Sequence, residues 1–350
     1  MKVLITGGGS GGHVTPALAV ASELAGCELL FVGSNSGLEE RIVQPSGLRY
    51  RGISAGKLRR YFSWHNVVDV LRVLLGILQA LVLIGRERPA VVFSKGGFVA
   101  FPVVFAAWLW RVPVVAHESD ATLGLANRLS LPFVKTLCVS FAQTQPARFA
   151  GRLVHTGAPL RGELLAGDAQ AGRRRLGMEP GTRLLLVTGG SLGAEALNAA
   201  TRAASSLLDG WHLLLICGAG KRADAAPDAG MTELEYVAEG WADLLAAADV
   251  VVSRAGSNAL FELLALRKPT LLVPLPSAGS RGDQLDNAAY AERQGYARVL
   301  QQADLNARRL ADEVNRIADD APELRERLAT FELPNSAALI AAEIKGLAGV

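Results

Sequence analysis

Short apolar runs recur along the whole chain, separated by longer stretches of mixed pattern. Val3–Thr6, Leu29–Val32, Ala90–Phe93 and Val112–Ala116 are such runs in the first half. Leu184–Thr188, His212–Cys217, Val250–Ser253 and Thr270–Val273 are their counterparts in the second. A strand with one wet face alternates apolar and polar residues, whereas a strand covered on both faces is apolar throughout. The runs therefore predict parallel strands lying under helices, and Pro16–Leu24 and Ala194–Leu208 read as two of those helices. Strands alternating with helices in this way give the α/β class with right-handed crossovers.

One device occurs twice. MKVLITGGGSGGH at the start is echoed by TRLLLVTGGSLGA, each a strand, a threonine, a glycine-rich turn and an alanine-rich stretch, with Ser10 and Ser191 in corresponding places. Duplication of a Rossmann-like unit accounts for the echo, and the break TGAPLR (Thr156–Arg161) suggests domains at 1–157 and 158–334. In the tail, Asn335 after Pro334 is placed to cap a last helix over Ser336–Leu347. That segment, 335–350, either closes the second domain or crosses back to brace the first.

Composition narrows the picture. A chain of 350 residues, half of them hydrophobic and a fifth charged, suits two cores and excludes a disordered chain. The net charge of +3 gives no overall pull on nucleic acid, so none is expected as a partner. Cys27, Cys138 and Cys217 have no metal-ligand spacing and read as small buried hydrophobes. MKVLIT runs straight into the glycine turn, which with the unpaired cysteines predicts a cytoplasmic protein. The apolar stretches Val73–Gly85 and Phe98–Trp110 are shorter than the ~18 residues a membrane span needs.

Candidate chemistry gathers at the turns. A glycine turn between strand and helix aims backbone amides and a positive helix end at an anion. The other reading is a tight turn that only packs strand on helix. Gly8–Gly12 lacks the strict GxGxxG order, and no acidic residue follows at the distance that would hold a dinucleotide ribose. His13 comes directly after this turn, where two roles suit it: a base for an acceptor hydroxyl, or a strut that fixes the loop. Ser253–Glu262 (SRAGSNALFE) suggests a third ligand-facing turn. Its Glu262 suits either paired ribose hydroxyls or a helix dipole. Gln284 and Asn287 stand three apart on one helical face and can bind a polar ligand. His117, Glu118 and Asp120 follow a strand, with spacing that fits no strong metal template. No Asp-x-Asp pair is present for a metal diphosphate, so turns, helix ends and Arg161 are left to meet phosphate charge. Lys57–Trp64 mixes basic and aromatic residues ahead of the apolar Val67–Ile84, the mixture of an anionic membrane interface or of a solvated loop entering a core helix.

GGGSGGHVTPALAVA, FSKGGFV, HESDATLGLANR, TGAPLR, GGSLGA, SRAGSNALFE and GDQLDNA occur in this order over nearly the whole chain. The set closely resembles the MurG family, the undecaprenyl-diphospho-muramoylpentapeptide β-N-acetylglucosaminyltransferases. The resemblance implies a GT-B fold, two Rossmann-like parallel-sheet domains facing a cleft. It implies inverting transfer of N-acetylglucosamine from UDP-N-acetylglucosamine to the 4-hydroxyl of lipid I, giving lipid II for peptidoglycan, with no cofactor and no metal at the donor site. It implies His13 as base, with Ser10, Gly11 and Gly12 facing donor sugar and acceptor diphosphate. Ser191, the amides of Gly190–Ala194 and Arg161 would meet the leaving diphosphate. Glu262 would hold the ribose, backbone near Ala238 the uracil, and Gln284 the transferred sugar. Some members carry asparagine after the His-Glu pair where this chain has Asp120, so Asp120 and Asn127 share that place as sugar-facing candidates. A lipid-linked acceptor implies an anionic membrane surface, a peripheral location at the cytoplasmic face, and cell-wall synthesis proteins as partners. Rival expectations are a UDP-N-acetylglucosamine 2-epimerase of the same architecture and a non-catalytic nucleotide and lipid-carrier binder.

Overall fold

A computed structural model describes residues 1–9, 11–35, 37–56, 65–190, 193–224, 230–277 and 282–349. Ser10, Ser191 and the basic-aromatic stretch Lys57–Trp64 lie outside the described residues. The chain divides into two compact units, Met1–Arg161 with Pro334–Val350, and Gly162–Leu333.

In the first unit the strands are β1 (Lys2–Thr6), β2 (Glu28–Ser34), β3 (Arg49–Ile53), β4 (Val91–Ser94), β5 (Val114–Glu118), β6 (Thr136–Val139) and β7 (Arg152–His155). They form one parallel sheet in the order β3-β2-β1-β4-β5-β6-β7. Its helices are α1 (Gly11–Ser22), α2 (Leu38–Val43), α3 (His65–Glu87), α4 (Ala100–Leu109) and α5 (Leu125–Ser130). Alternate strand residues serve opposite cores. Val3, Ile5, Val91 and Phe93 pack with α1, while Leu4, Leu30, Val92 and Leu137 pack with α3 and α4.

The second unit holds α6 (Ala169–Arg175), β8 (Arg183–Thr188), α7 (Glu195–Ala204), β9 (Trp211–Ile216), β10 (Met231–Leu234), α8 (Trp241–Ala247) and β11 (Val250–Ser253). It continues through α9 (Ser257–Ala265), β12 (Thr270–Leu272), α10 (Asp283–Arg293), β13 (Arg298–Val299), α11 (Ala307–Asp319) and α12 (Ala321–Ala329). Its parallel sheet runs β10-β9-β8-β11-β12-β13. The last helix, α13 (Ser336–Leu347), is capped by Asn335, whose Oδ1 accepts the Ala338 N–H at 3.1 Å. Ile340, Ala341 and Ile344 bury it in the first unit's core beside α1.

Several local readings need correction. The apolar pattern stops β5 at Ala116, but pairing continues, with His117 opposite Cys138 and Glu118 opposite Val139. His117 and Glu118 are therefore strand residues, not loop residues. Likewise α1 starts at Gly11 rather than Pro16, so Gly11, Gly12 and His13 form its first turn. The strands that the pattern missed include β3 (RYRGI) and β7 (RLVH), edge strands too polar to present an apolar run. Cys27 is only half-buried, unlike Cys138 and Cys217. Among the described residues no helix is long and apolar enough to cross a membrane.

Candidate active site

Both sheets reverse their winding direction once, between β1 and β4 and between β8 and β11. Connections leave such a pair toward opposite faces, which opens a crevice beyond their carboxyl ends. The described residues there are Gly7–Gly9, Gly11–His13 and Lys95–Gly97 in the first unit, and Gly189, Gly190, Gly193 and Arg254–Ser257 in the second.

The first glycine turn is braced from two sides. Gly8 N–H donates to Gly96 O at 3.3 Å, and a Cβ on Gly97, whose φ is +86°, would overlap the Gly8 carbonyl. From the other side comes Glu39 of α2, only 2% exposed. Its Oε1 accepts Gly9 N–H at 2.6 Å and its Oε2 accepts the Ser34 hydroxyl at 3.0 Å. This turn thus has a buried carboxyl group bonded to its own backbone. His13, half-buried, places Nδ1 3.2 Å from the Lys95 carbonyl oxygen. A carbonyl can only accept, so Nδ1 holds the proton and Nε2 is the basic nitrogen.

Behind it, at the end of β5, lies a buried polar cluster. His117 Nε2 is 3.1 Å from Gly157 O and 3.4 Å from Ser140 Oγ, while Nδ1 has no hydrogen-bond partner among the described residues. Burial first, then the nearby Lys95 cation, pushes the imidazole well below its usual range and keeps it neutral. Glu118 accepts from Asp120 N–H at 3.1 Å, Gly124 N–H at 2.8 Å and Asn127 Nδ2 at 3.0 Å. Its pKa is raised, by burial first and by Asp120 second. Asn127 spends its second N–H on His117 O at 3.1 Å, leaving Oδ1 unpartnered among the described residues. Asp120 is buried at the start of the following loop. Lys95 is 1% exposed, and its Nζ donates to Ser119 Oγ. Burial lowers its pKa to about 8, against the opposing pull of Glu118 and Asp120. Among the described residues no group of three His, Cys, Asp or Glu side chains is placed to hold a metal.

In the second unit, Gly190 and Gly193 take φ of +78° and +65°. Gly193 N–H closes the turn on Gly190 O at 2.9 Å, and a Cβ on Gly193 would overlap the Cys217 carbonyl. Asn198 of α7, buried below, donates to that same carbonyl at 2.8 Å. After β11, Arg254 is buried and structural, donating to Val273 O at 3.0 Å and Gln302 Oε1 at 2.6 Å. Asn287 is fully buried and donates to Ala255 O at 3.1 Å, so it braces this turn from α10.

Glu262, half-buried, sits in the second turn of α9. Helix-dipole stabilisation fades within the first turn, so it does not explain this carboxylate. Gln284, half-buried at the start of α10, accepts Leu275 N–H at 2.9 Å through Oε1, which leaves its NH2 group to donate. Ala238 is exposed on the loop between β10 and α8, and Arg161 is exposed at the end of the first unit's main segment. Gly11 is half-buried and Gly12 exposed.

Pattern reading missed Glu39 and Asn198 as braces of these turns, and it gave Lys95 and Arg254 no role although both stand within the motifs FSKGGFV and SRAGSNALFE. A lysine set between a buried strand and two glycines (VVFSKGG) was a signal available in the sequence.

The chain matches the model of the glycosyltransferase family 28 N-terminal domain over residues 3–139 and that of the C-terminal domain over residues 184–343. A UDP-N-acetylglucosamine–N-acetylmuramyl-(pentapeptide) pyrophosphoryl-undecaprenol N-acetylglucosamine transferase of Clostridium kluyveri is 45% identical over 90% of this chain and 91% of its own. The Legionella pneumophila protein of the same name is 42% identical, covering 100% of this chain and 98% of its own. The crystal structure of Acinetobacter baumannii MurG superposes with a TM-score of 0.77 at 25% identity, covering 99% of each chain. A UDP-N-acetylglucosamine 2-epimerase from Neisseria meningitidis superposes at 0.66 with 12% identity over 99% of each chain, a likeness of fold alone. The chain belongs to glycosyltransferase family 28, on its MurG branch, and has the GT-B fold.

Proposed function

We propose that this protein transfers N-acetylglucosamine from UDP-N-acetylglucosamine to the 4-hydroxyl of the muramoyl sugar of lipid I, giving lipid II in peptidoglycan synthesis. The observation that carries the mechanism is the 3.2 Å contact between His13 Nδ1 and the Lys95 carbonyl oxygen, which assigns the proton to Nδ1. With Nδ1 protonated, Nε2 takes the proton of the 4-hydroxyl as its oxygen attacks the anomeric carbon. The bond from that carbon to the β-phosphate oxygen breaks, and its electron pair leaves on UDP. Attack from the face opposite the leaving group inverts the anomeric centre.

Charge then builds on the diphosphate. Ser191, the amides of Gly190–Ala194, Arg161 and the positive end of α7 meet it without a metal. The half-buried Glu262 takes the ribose hydroxyls, backbone at Ala238 the uracil, and the Gln284 NH2 group the transferred sugar. Ser10, Gly11 and Gly12 face the donor sugar and the acceptor. Because Glu39 already answers the Gly9 amide, this turn suits placing His13 and a hydroxyl better than holding a phosphate. Asp120 and Asn127 line the acceptor side.

The acceptor's lipid also accounts for α3. Leu71, Leu74, Leu75, Leu78 and Val82 form an exposed apolar stripe at helical spacing, and Trp108, Leu109 and Trp110 are exposed at the end of α4. The Trp110 indole donates to Leu81 O at 3.0 Å, which brings that tryptophan against α3. With the basic Lys57–Trp64 stretch next to it in sequence, this face seats the protein on the anionic cytoplasmic surface of the membrane, where cell-wall synthesis proteins work. Changing Leu71, Leu74 and Leu78 to Asp is expected to abolish sedimentation with phosphatidylglycerol vesicles while UDP binding persists. Sedimentation at the wild-type level would contradict the seating.

The overall test uses radiolabelled UDP-N-acetylglucosamine with a lipid I analogue, with and without EDTA. Label entering the lipid phase at a rate unaffected by chelator is expected. Epimerised sugar nucleotide without lipid product would overturn the proposal in favour of an epimerase.

A further inference from the structure

We propose that Lys95 is a positioning residue for the transfer, a buried cation that ties the turn carrying His13 to the Glu118–Asp120 segment. The inference rests on His13 acting as the base.

Lys95 is the first residue after β4, beside the point where the winding reverses. Its N–H bonds Thr6 O at 2.8 Å, its carbonyl receives His13 Nδ1 at 3.2 Å, and its neighbour Gly96 receives Gly8 N–H at 3.3 Å. This short piece of backbone thus holds both ends of the first glycine turn and sets the tautomer of His13. Its side chain bonds Ser119 Oγ, on the loop that follows β5. Three strand ends, those of β1, β4 and β5, are joined through this one residue.

An aliphatic side chain would fill the same space without the cost of burying a charge. Part of that cost is offset locally, since Glu118 and Asp120 oppose the downward pull of burial on the Lys95 ammonium. The other ionisable groups of the cluster, His117 and His13, come from β5 and α1.

The test is the pair Lys95→Met and Ser119→Ala, with Ser119→Thr as the variant that keeps the acceptor oxygen. Lys95→Met is expected to lower kcat about 10²-fold through misplacement of His13, with KM for UDP-N-acetylglucosamine unchanged. Ser119→Ala is expected to lose activity too, Ser119→Thr to retain most of it, and the double variant Lys95→Met/Ser119→Ala to be no slower than Lys95→Met.

A purely structural lysine predicts a different stability pattern. Folded Lys95 gives up its proton near pH 8 whereas the unfolded side chain keeps it to about 10.5, so below pH 8 its burial costs stability. Lys95→Met is therefore expected to raise Tm at pH 7 while lowering kcat. Wild type is expected to lose activity as pH rises through about 8, and Lys95→Met to lack that alkaline limb. Wild-type turnover in Lys95→Met, or losses that multiply in the double variant, would overturn the proposal. So would a fall in Tm that parallels activity at every pH. If wild type itself transfers no sugar, or His13→Ala is fully active, the underlying reading fails instead.

Discussion

His13→Ala is expected to reduce turnover by about 10²–10⁴-fold, the contribution of a positioned general base, with UDP-N-acetylglucosamine binding intact. The expectation follows from geometry. His13 lies in the first turn of α1, beyond the carboxyl end of β1, with one ring nitrogen committed to a main-chain carbonyl. An imidazole that only braced the loop would also use that hydrogen bond, but it would be replaceable. His13→Gln, which keeps a donor for the Lys95 carbonyl and lacks a basic nitrogen, separates the two roles. Steady-state kinetics should show His13→Gln as slow as His13→Ala. Recovery to near wild-type rate in His13→Gln would make His13 a strut.

Gly193→Ala is the second large effect, and it belongs to the other unit. At φ +65° an alanine costs roughly 1–2 kcal/mol, and here the added methyl group also meets the Cys217 carbonyl, which Asn198 holds in place. The turn must move, carrying with it the amides before α7. Loss of their aim at the diphosphate is expected to weaken UDP binding and slow transfer by about 10²-fold, the scale of a lost oxyanion donor. Gly190→Ala is the matched control. Its φ is +78°, but among the described residues a Cβ there would meet nothing within 4 Å, so strain is what the methyl group adds. Calorimetric binding of UDP should therefore fall sharply for Gly193→Ala and little for Gly190→Ala. Equal losses would remove the turn's shape from the account.

Particular residues show how far the chain could be read without its structure. Most central strands were legible because each is covered on both faces and so must be apolar throughout, as in Val91–Phe93 or Leu184–Val187, although the short interior strand Thr136–Val139 was passed over. Arg49–Ile53 and Arg152–His155 pair on one side only and carry arginines, which an apolar test passes over. The same test ended β5 too soon, since His117 and Glu118 are polar yet paired and buried. The glycine turns were legible because glycine has few other reasons to cluster after a strand. Their braces were not. Glu39 is thirty residues from Gly9, and Lys95 is over eighty from His13. Only the strand order, which sets β4 beside β1, brings Lys95 against the turn.

The central claim is that the duplicated glycine turn serves two substrates, the donor through the second unit and the acceptor hydroxyl through the first. Isothermal titration of UDP into wild type, His13→Ala and Gly193→Ala, paired with a transfer assay on the same preparations, tests it most directly. Wild type and His13→Ala should bind UDP alike while His13→Ala transfers almost nothing, and Gly193→Ala should lose binding itself. Loss of UDP binding in His13→Ala with wild-type binding in Gly193→Ala would contradict the assignment.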